Sequence, residues 1–320
     1  MTGTKNSVAI IGAGVVGLYL SWRLQKQGFQ VTVFEQKDGI YAKPCSGLIS
    51  ERIKKFIPIQ DNLYQRKSDS ILVHFPKKDI RLKPKPSFLV FERQKLDDFI
   101  FSLAKKQGVK FVFGKKIEKI PQGFSKIIGC DGALSETRKL LSLPPLNFRL
   151  GIQYIVKTDS HFLEIEIWQK IFQSFPKQGF FWKIPKAGKI EYGGIGPSNF
   201  IKKEFEEFCQ EQGVHLEPDK LKAALIPQGI CLPNLENITL CGDSAGLTKP
   251  TTGGGVIWGL TVADILIKHF SDFTKYKKEV EKFFKPKIFK GKIETSLGGF
   301  IGNHLPFILP KNISIDADLF

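Results

Sequence analysis

The 320-residue sequence predicts an α/β fold. The expected architecture is a Rossmann-like nucleotide-binding domain, discontinuous in the chain, with an inserted antiparallel-sheet domain and a short C-terminal helical region. Three observations lead there. A short apolar run, Val8-Ala9-Ile10-Ile11, is followed at once by Gly12-Ala13-Gly14-Val15-Val16-Gly17, in strand-turn-helix context. A second glycine-rich stretch, from Cys241-Gly242-Asp243 to Gly253-Gly254-Gly255, stands between another apolar run and another helical pattern. Between them, residues 149 to 196 alternate apolar and polar in several runs, the period of an antiparallel sheet.

Val8 to Ile11 is a buried-strand pattern, and the helix after the glycines runs to about Gly28, which suits a C-terminal stop. Val31-Thr32-Val33-Phe34 is the second strand, ending at Glu35. Ser70 to Phe75 and Ser87 to Phe91 read as strands separated by a Pro- and Lys-rich segment, 76–86. Arg93 to Gln107 reads as a helix, with Phe111-Val112-Phe113 a strand after it. Ile127-Ile128-Gly129-Cys130 leads into Asp131-Gly132 and a helix through Leu141. Beyond the alternating region, Phe205 to Gln212 is a short helix. Ile238 to Cys241 returns as the final strand of the nucleotide domain, with the helix Gly255 to Phe270 behind it.

In the first loop, Gly12 permits a tight turn, Gly14 lets backbone approach a pyrophosphate, and Gly17 allows close helix-strand packing. The helix start supplies N–H groups and a positive dipole to the phosphates. Glu35 lies where a carboxylate accepts from the ribose hydroxyls; Val16 and Gln36 are assigned to the cofactor site with it. The late Gly242-Asp243 turn suits a polyol linking the pyrophosphate to a flavin ring. NAD has no ribitol, so the pair of loops points to FAD. The FAD-binding domain is then expected at 1–69, 92–148 and 235–270. The sheet domain follows at 70–91 and 149–234, and a helical or tail region at 271–320.

A net charge of +17 favours an anionic partner. No nucleic-acid-binding motif is present, so no nucleic acid is expected. Nine lysines between Lys268 and Lys292 interleave with Phe283, Phe284, Ile288 and Phe289; peripheral contact with an anionic membrane surface and a solvated helix both fit. The 28 phenylalanines suit either an ordinary core or an apolar ligand tunnel. Five cysteines at 45, 130, 209, 231 and 241 form no Cys-x-x-Cys pair. That argues against disulfides or structural zinc, and for a cytoplasmic protein, peripheral on the membrane face at most. The histidines have no ligand spacing, so no metal is expected.

Several motifs in order across residues 8 to 255 resemble the flavoprotein superfamily of p-hydroxybenzoate hydroxylase type. They are Gly12-x-Gly14-x-x-Gly17 with Glu35, Arg93-x-x-x-Asp97, Asp131-Gly132-x-x-Ser135-x-x-Arg138, and Gly242-Asp243. Within it the chain looks most like the geranylgeranyl reductases. Pro44-Cys45-Ser46-Gly47 resembles that family's Pro-Cys-Gly segment beside the flavin. Phe180-Phe181-Trp182-Lys183-Ile184-Pro185 resembles its Tyr-x-Trp-x-Phe-Pro substrate motif, and Pro250-Thr251-Thr252-Gly253-Gly254-Gly255 its turn under the isoalloxazine. The chain departs from the family at Phe180, Ile184 and Ser46, and in a shorter C-terminal region.

The resemblance implies an FAD-dependent reductase that saturates C=C bonds of geranylgeranyl or other polyprenyl groups on membrane phospholipids or related isoprenoids. Hydride would come from reduced flavin N5 and a proton from elsewhere. It implies Cys45, Ser46, Gly47, Arg93, Asp131, Gly132, Gly242, Asp243, Gly253, Gly254, Gly255 and Val256 as further cofactor residues. Phe180, Trp182, Pro185 and Pro250 are the implied substrate residues. Cys45 and Trp182 are the implied catalytic pair: a thiol is mostly protonated at neutral pH and could donate the proton, while the indole face could tolerate positive charge. Only one complete glycine motif occurs, so electrons are expected from an outside donor, NAD(P)H or reduced ferredoxin. Two rival readings stay open: a flavin-dependent monooxygenase or halogenase on a smaller substrate, and a non-catalytic FAD-dependent lipid carrier.

Overall fold

The structure, a computed structural model, describes residues 6–159, 164–171 and 178–318. Parts of the alternating region, 160–163 and 172–177, lie outside the described residues. Five parallel strands form the nucleotide-domain sheet in the order β15 (Ile238–Leu240), β9 (Lys126–Gly129), β1 (Ser7–Ile11), β2 (Gln30–Phe34) and β8 (Lys110–Val112). Every residue of β1 is buried, which its uninterrupted apolar run requires of a strand covered on both faces. Helices α1 (Val15–Lys26), α2 (Arg93–Lys106) and α5 (Val256–Lys268) belong to the same core, through Leu18, Leu24, Leu96, Ile100, Leu260 and Leu266.

A second sheet has eight strands in the order β14 (Lys222–Gln228), β10 (Asn147–Lys157), β13 (Lys189–Gly196), β12 (Gln178–Lys186), β11 (Ile165–Ile171), β5 (Ile71–Phe75), β6 (Lys78–Lys85) and β16 (Asn312–Asp316). It contains the expected antiparallel region as β10 (Asn147–Lys157), β11 (Ile165–Ile171), β12 (Gln178–Lys186) and β13 (Lys189–Gly196), with β14 (Lys222–Gln228) at one edge. β5 (Ile71–Phe75) joins β11 in parallel. Phe181 and Tyr192 face helix α4 (Ile201–Glu211), packing on Phe205 and Phe208. Trp182 and Ile184, one and three residues beyond Phe181 in β12, turn to the opposite face with Val73 and Val90.

Three features differ from expectation. The segment 76–86 holds a strand, β6 (Lys78–Lys85), whose Ile80 and Pro84 are buried in alternation. It pairs with β16 (Asn312–Asp316), so the C-terminal tail returns to complete the large sheet. β7 (Phe88–Phe91), grouped by sequence with the sheet domain, pairs instead with β3 (Leu48–Ser50) and β4 (Tyr64–Ser68) in a separate three-stranded sheet. The expected C-terminal helical region is present as α6 (Phe273–His304), a single helix of 32 residues. Asp272 caps its start, its carboxylate accepting from the Thr274 hydroxyl and from the Lys275 and Thr274 N–H groups, which holds that carboxyl down at about 2.

Candidate functional site

A cavity of about 610 Å³ opens at the carboxyl ends of β1, β2, β9 and β15, and its far wall comes from β10, β12, β13 and β14 of the large sheet. That is where an open parallel sheet leaves a crevice between its loops. The volume lies within the range of small-molecule and cofactor pockets.

The first loop forms one end. Gly12 has φ +102 and its α-carbon sits against Cys130 and Asp131; a Cβ there would stand 2.5 Å from the Cys130 carbonyl oxygen. A Cβ on Gly17 would be 2.1 Å from Gly12 O, so this glycine serves packing and does not line the cavity. Gly14, the N-cap of α1, is different: a Cβ would meet nothing within 4 Å, because the space before it is open cavity. Glu35 also lines this end, its carboxylate accepting from the Ala13 N–H at 2.8 Å and the Lys37 N–H at 3.0 Å.

Across the cavity stand Asp243 and the turn Thr252 to Gly255 before α5. Asp243 Oδ2 is engaged by Lys43 Nζ, a partner that sequence reasoning missed because 200 residues separate the two. Gly255 lies under the other oxygen, 2.8 Å from the position its Cβ would take. Gly253 has φ +71, and a Cβ there would collide with Ile195 at 2.5 Å, so the turn needs glycine twice over. Arg149 holds the turn to β10 by donating to the carbonyls of Pro250 and Thr251; burial pushes its pKa down to about 10.

The wall between these ends carries Lys43, Cys45, Ser46 and Arg93. Gln94 pins their loop to α2, donating to Ile40 O at 2.8 Å and accepting from the Ala42 N–H at 3.0 Å. Arg93 is buried and pairs with Asp97 at 2.9 Å, yet its Nε and Nη1 have no hydrogen-bond partner. Burial opposes the guanidinium charge, but the Asp97 carboxylate more than offsets it, so the group stays protonated. Two unused cationic donors in a cavity wall fit an anionic or carbonyl-bearing ligand.

Asp131 and Gly132 line the cavity, and the Asp131 carboxylate is also engaged within the chain. It accepts from Ser135 Oγ at 2.6 Å and from the N–H and hydroxyl of Thr137, fixing the start of helix α3 (Glu136–Leu140). Arg138, from the same motif, donates to the carbonyls of Cys231 and Ser244 and ties α3 to the Asp243 turn. The motif therefore braces the site. Gly242 and Gly47 also serve packing outside the cavity: Gly242 lies against Val16, and a Cβ on Gly47 would be 2.1 Å from Phe91 O. Val16, Gln36, Ser46 and Val256 do line it.

At the sheet end, Trp182 lines the cavity with Ile152, Ile195, Leu225 and Ile226. Its indole N–H donates to Glu191 at 3.0 Å, and Glu191, fully buried, accepts from Lys186 at 2.6 Å. The Gly193 backbone leaves room for the ring: a Cβ there would overlap it at 2.2 Å. Phe180, Pro185 and Pro250, expected at the substrate, do not line the cavity. Phe180 packs beside Trp182 at 5.8 Å between ring centres, Pro185 is buried in β12, and Pro250 lies against Gly291 of α6.

The C-terminal tail adds a group with no counterpart in the sequence reading. Asp318 lines the cavity and is buried, with Oδ2 accepting from Ser50 Oγ at 2.7 Å and facing Arg52 at 3.0 Å. Its Oδ1 lies 3.8 Å from the buried Lys249 Nζ, which donates to Ala317 O at 2.8 Å. Trp258 of α5 donates to the Asp318 carbonyl. Burial lowers the Lys249 pKa.

These features fit FAD. The open face of Gly14 and the free N–H groups at the start of α1 would hold the pyrophosphate. Glu35 would hold the ribose, Asp243 the ribitol, and Gly253 to Gly255 with the start of α5 the flavin end.

Residues 10–41 match the model of an NAD(P)-binding Rossmann-like domain. An uncharacterised protein of Methanosarcina barkeri is 24% identical, over 94% of this chain and 85% of its own length. The digeranylgeranylglycerophospholipid reductase of Methanococcus vannielii is 23% identical, over 88% of this chain and 83% of its own. The geranylgeranyl diphosphate reductase of Rhodobacter capsulatus is 22% identical, over 79% and 72%. Among solved structures, a geranylgeranyl bacteriochlorophyll reductase-like protein from Thermoplasma acidophilum superposes with TM-score 0.70 at 18% identity, covering 92% of this chain and 87% of that one. A flavin-dependent brominase superposes with TM-score 0.75 at 12% identity, covering 92% and 88%. The chain therefore carries a Rossmann-type nucleotide-binding domain in a fold shared with flavin-dependent enzymes, and the resemblance to geranylgeranyl reductases read from its motifs extends over most of its length.

Proposed function

We propose that this protein is an FAD-dependent reductase that saturates C=C bonds in geranylgeranyl or related polyprenyl groups carried on lipids. One observation carries the reading. The glycine loop, the Asp243 turn, Cys45 and Trp182 all face one cavity, whose sheet end is apolar enough to take an isoprenoid chain. The names of the relatives support the same substrate class.

Bound flavin would supply the two-electron reductant. The chain's own residues do the rest. Gly14 and the start of α1 bind, and the turn before α5 directs free N–H groups and the positive end of a helix dipole at negative charge that develops there. Trp182, locked by Glu191, presents a fixed π-face that stabilises positive charge on a nearby carbon. Cys45 Sγ, in the loop pinned by Gln94, carries a proton for the second carbon. Ile152, Ile195 and Ile226 exclude water from that end. Electrons come from an outside donor, NAD(P)H or a reduced ferredoxin.

The test is anaerobic: protein loaded with FAD and reduced by dithionite is mixed with a geranylgeranyl lipid. Reappearance of the yellow oxidised flavin at a rate that follows lipid concentration supports the proposal. A second reading, a monooxygenase or halogenase, is favoured by the fold shared with the brominase. It predicts that the reduced flavin stays colourless until oxygen is admitted.

A further inference from the structure

Among the described residues twelve large apolar side chains are exposed, and eight of them fall in one stretch, Phe283 to Ile308. Phe289, Ile293, Leu297 and Phe300 recur at intervals of four, four and three, which puts them on one face of α6. They are 69%, 47%, 55% and 41% exposed. The opposite face is already used: Phe284, Gly291, Gly299 and Gly302 are buried, with Gly291 on Pro250 and Gly302 on Phe75. The turn after α6 extends the outer stripe, with Phe307 73% and Ile308 55% exposed. Core packing therefore accounts for one face of α6 and not for the other.

Charge surrounds the stripe. The helix holds eight lysines against three glutamates, in a chain of net charge +17. At the far end Lys78 Nζ donates to Leu309 O, with Lys77 exposed beside it. No helix of the described residues is long and apolar enough to cross a membrane.

We propose that this outer face of α6, with the turn at Phe307 and Ile308, docks the protein on an anionic lipid bilayer. The phenylalanines enter the acyl boundary and the lysines meet the headgroup phosphates. A second copy of the chain is a poor occupant, because a two-fold contact would set the same lysines against each other. The bilayer would lie about one helix diameter, ~10 Å, from the Pro250 turn on which α6 rests. That turn leads into the cavity wall, so docking would bring the site close to membrane-embedded chains. The inference stands on the surface alone: vesicle binding needs no turnover, and a failed reductase assay would leave it intact.

The test is cosedimentation of the FAD-loaded protein with phosphatidylglycerol vesicles and with phosphatidylcholine vesicles, at low and at physiological salt. The comparison protein carries Phe289→Ser, Leu297→Ser and Phe307→Ser; unchanged thermal stability and FAD absorbance show that it is folded. The expected result is binding to phosphatidylglycerol that salt weakens but does not abolish, and at least about a hundredfold loss of affinity in the triple variant. A protein with Phe307→Trp as its only change should show tryptophan fluorescence quenched by brominated phosphatidylglycerol. Equal binding by the triple variant would overturn the proposal. So would an absence of vesicle binding, whether the stripe proves instead to hold a homodimer together or to retain an acidic protein.

Discussion

Removing the charge of Asp318 should expose how much the C-terminal tail contributes to the site. In Asp318→Asn the amide still fills the position and can accept from Ser50, but Lys249 loses its paired carboxylate, while Arg52 keeps Asp316. Lys249 is the more costly of the two, because its side chain is 8% exposed and nearby acceptors are few. Breaking one partner of a buried ion pair costs about 3–5 kcal/mol, and the surviving Ala317 carbonyl places this case near 3 kcal/mol. With an unfolding entropy of about 2.1 cal/mol/K per residue, that lowers Tm by about 4–5 °C for a chain of this length. The loss should depend on pH. Lys249 has a folded pKa below its unfolded value, so the unfolded chain binds more protons between the two values and stability rises with pH through that interval. The penalty is complete below the folded pKa and absent above the unfolded one. Asp318→Asn lowers the folded value further and widens the interval downward. Thermal melts of both proteins at pH 7 and pH 10 should therefore show the gap in Tm narrowing at the higher pH. Arg149, pushed down to about 10, titrates alike in both and drops out of the difference. Adding Lys249→Met to Asp318→Asn should restore most of the loss. A drop under 1 °C at pH 7, or a gap that widens with pH, would refute the argument.

Further outcomes follow from the same geometry. Gly14→Ala should fold with Tm within about 1 °C of the parent, since its Cβ meets nothing, yet bind FAD at least tenfold more weakly by titration; Gly17→Ala should instead lower stability sharply, by the overlap with Gly12 O. Cys45→Ala should keep FAD bound and slow alkene reduction by about 10²-fold in single-turnover experiments, the usual contribution of a positioned proton donor; an unchanged rate removes the thiol from the mechanism. Glu191→Ala should cost about 3–5 kcal/mol in thermal or denaturant unfolding, because it leaves Lys186 buried without its anion, whereas a loss below 1 kcal/mol would show that Lys186 finds water.

The parallel sheet was legible because its evidence is local. Val8 to Ile11, the glycines and Val31 to Phe34 lie within one short window, and both strands are almost wholly apolar. β6 was hidden by Pro84 and the flanking Pro76 and Pro86, although Ile80 and Pro84 share its buried face, and its partner β16 lies some 230 residues away without a turn to announce it. The site divides the same way. Gly12, Gly14 and Glu35 could be assigned from spacing, as could Asp243 and the triple glycine. The bracing role of Asp131 could not, because it depends on Thr137 and Ser135 donating to its oxygens. Lys43, Asp318 with Lys249, and Glu191 behind Trp182 have partners that only the folded chain brings together. Nothing in the residues beside them separates a buried Lys249 from a solvated Lys275. Pro250 and Gly242 sat in the right motifs but turned their surfaces to Gly291 and Val16, which a linear pattern does not reveal.

The central claim is that a flavin in the cavity between Gly14 and Gly255 reduces isolated double bonds of a prenyl chain. The most direct measurement is mass spectrometry of a geranylgeranyl lipid after anaerobic incubation with the FAD-loaded, dithionite-reduced protein. The account predicts a gain of two hydrogens for each bond saturated, absent when FAD is withheld and strongly reduced in Cys45→Ala. An unchanged lipid mass, with product forming only when oxygen and a smaller substrate are supplied, would contradict it.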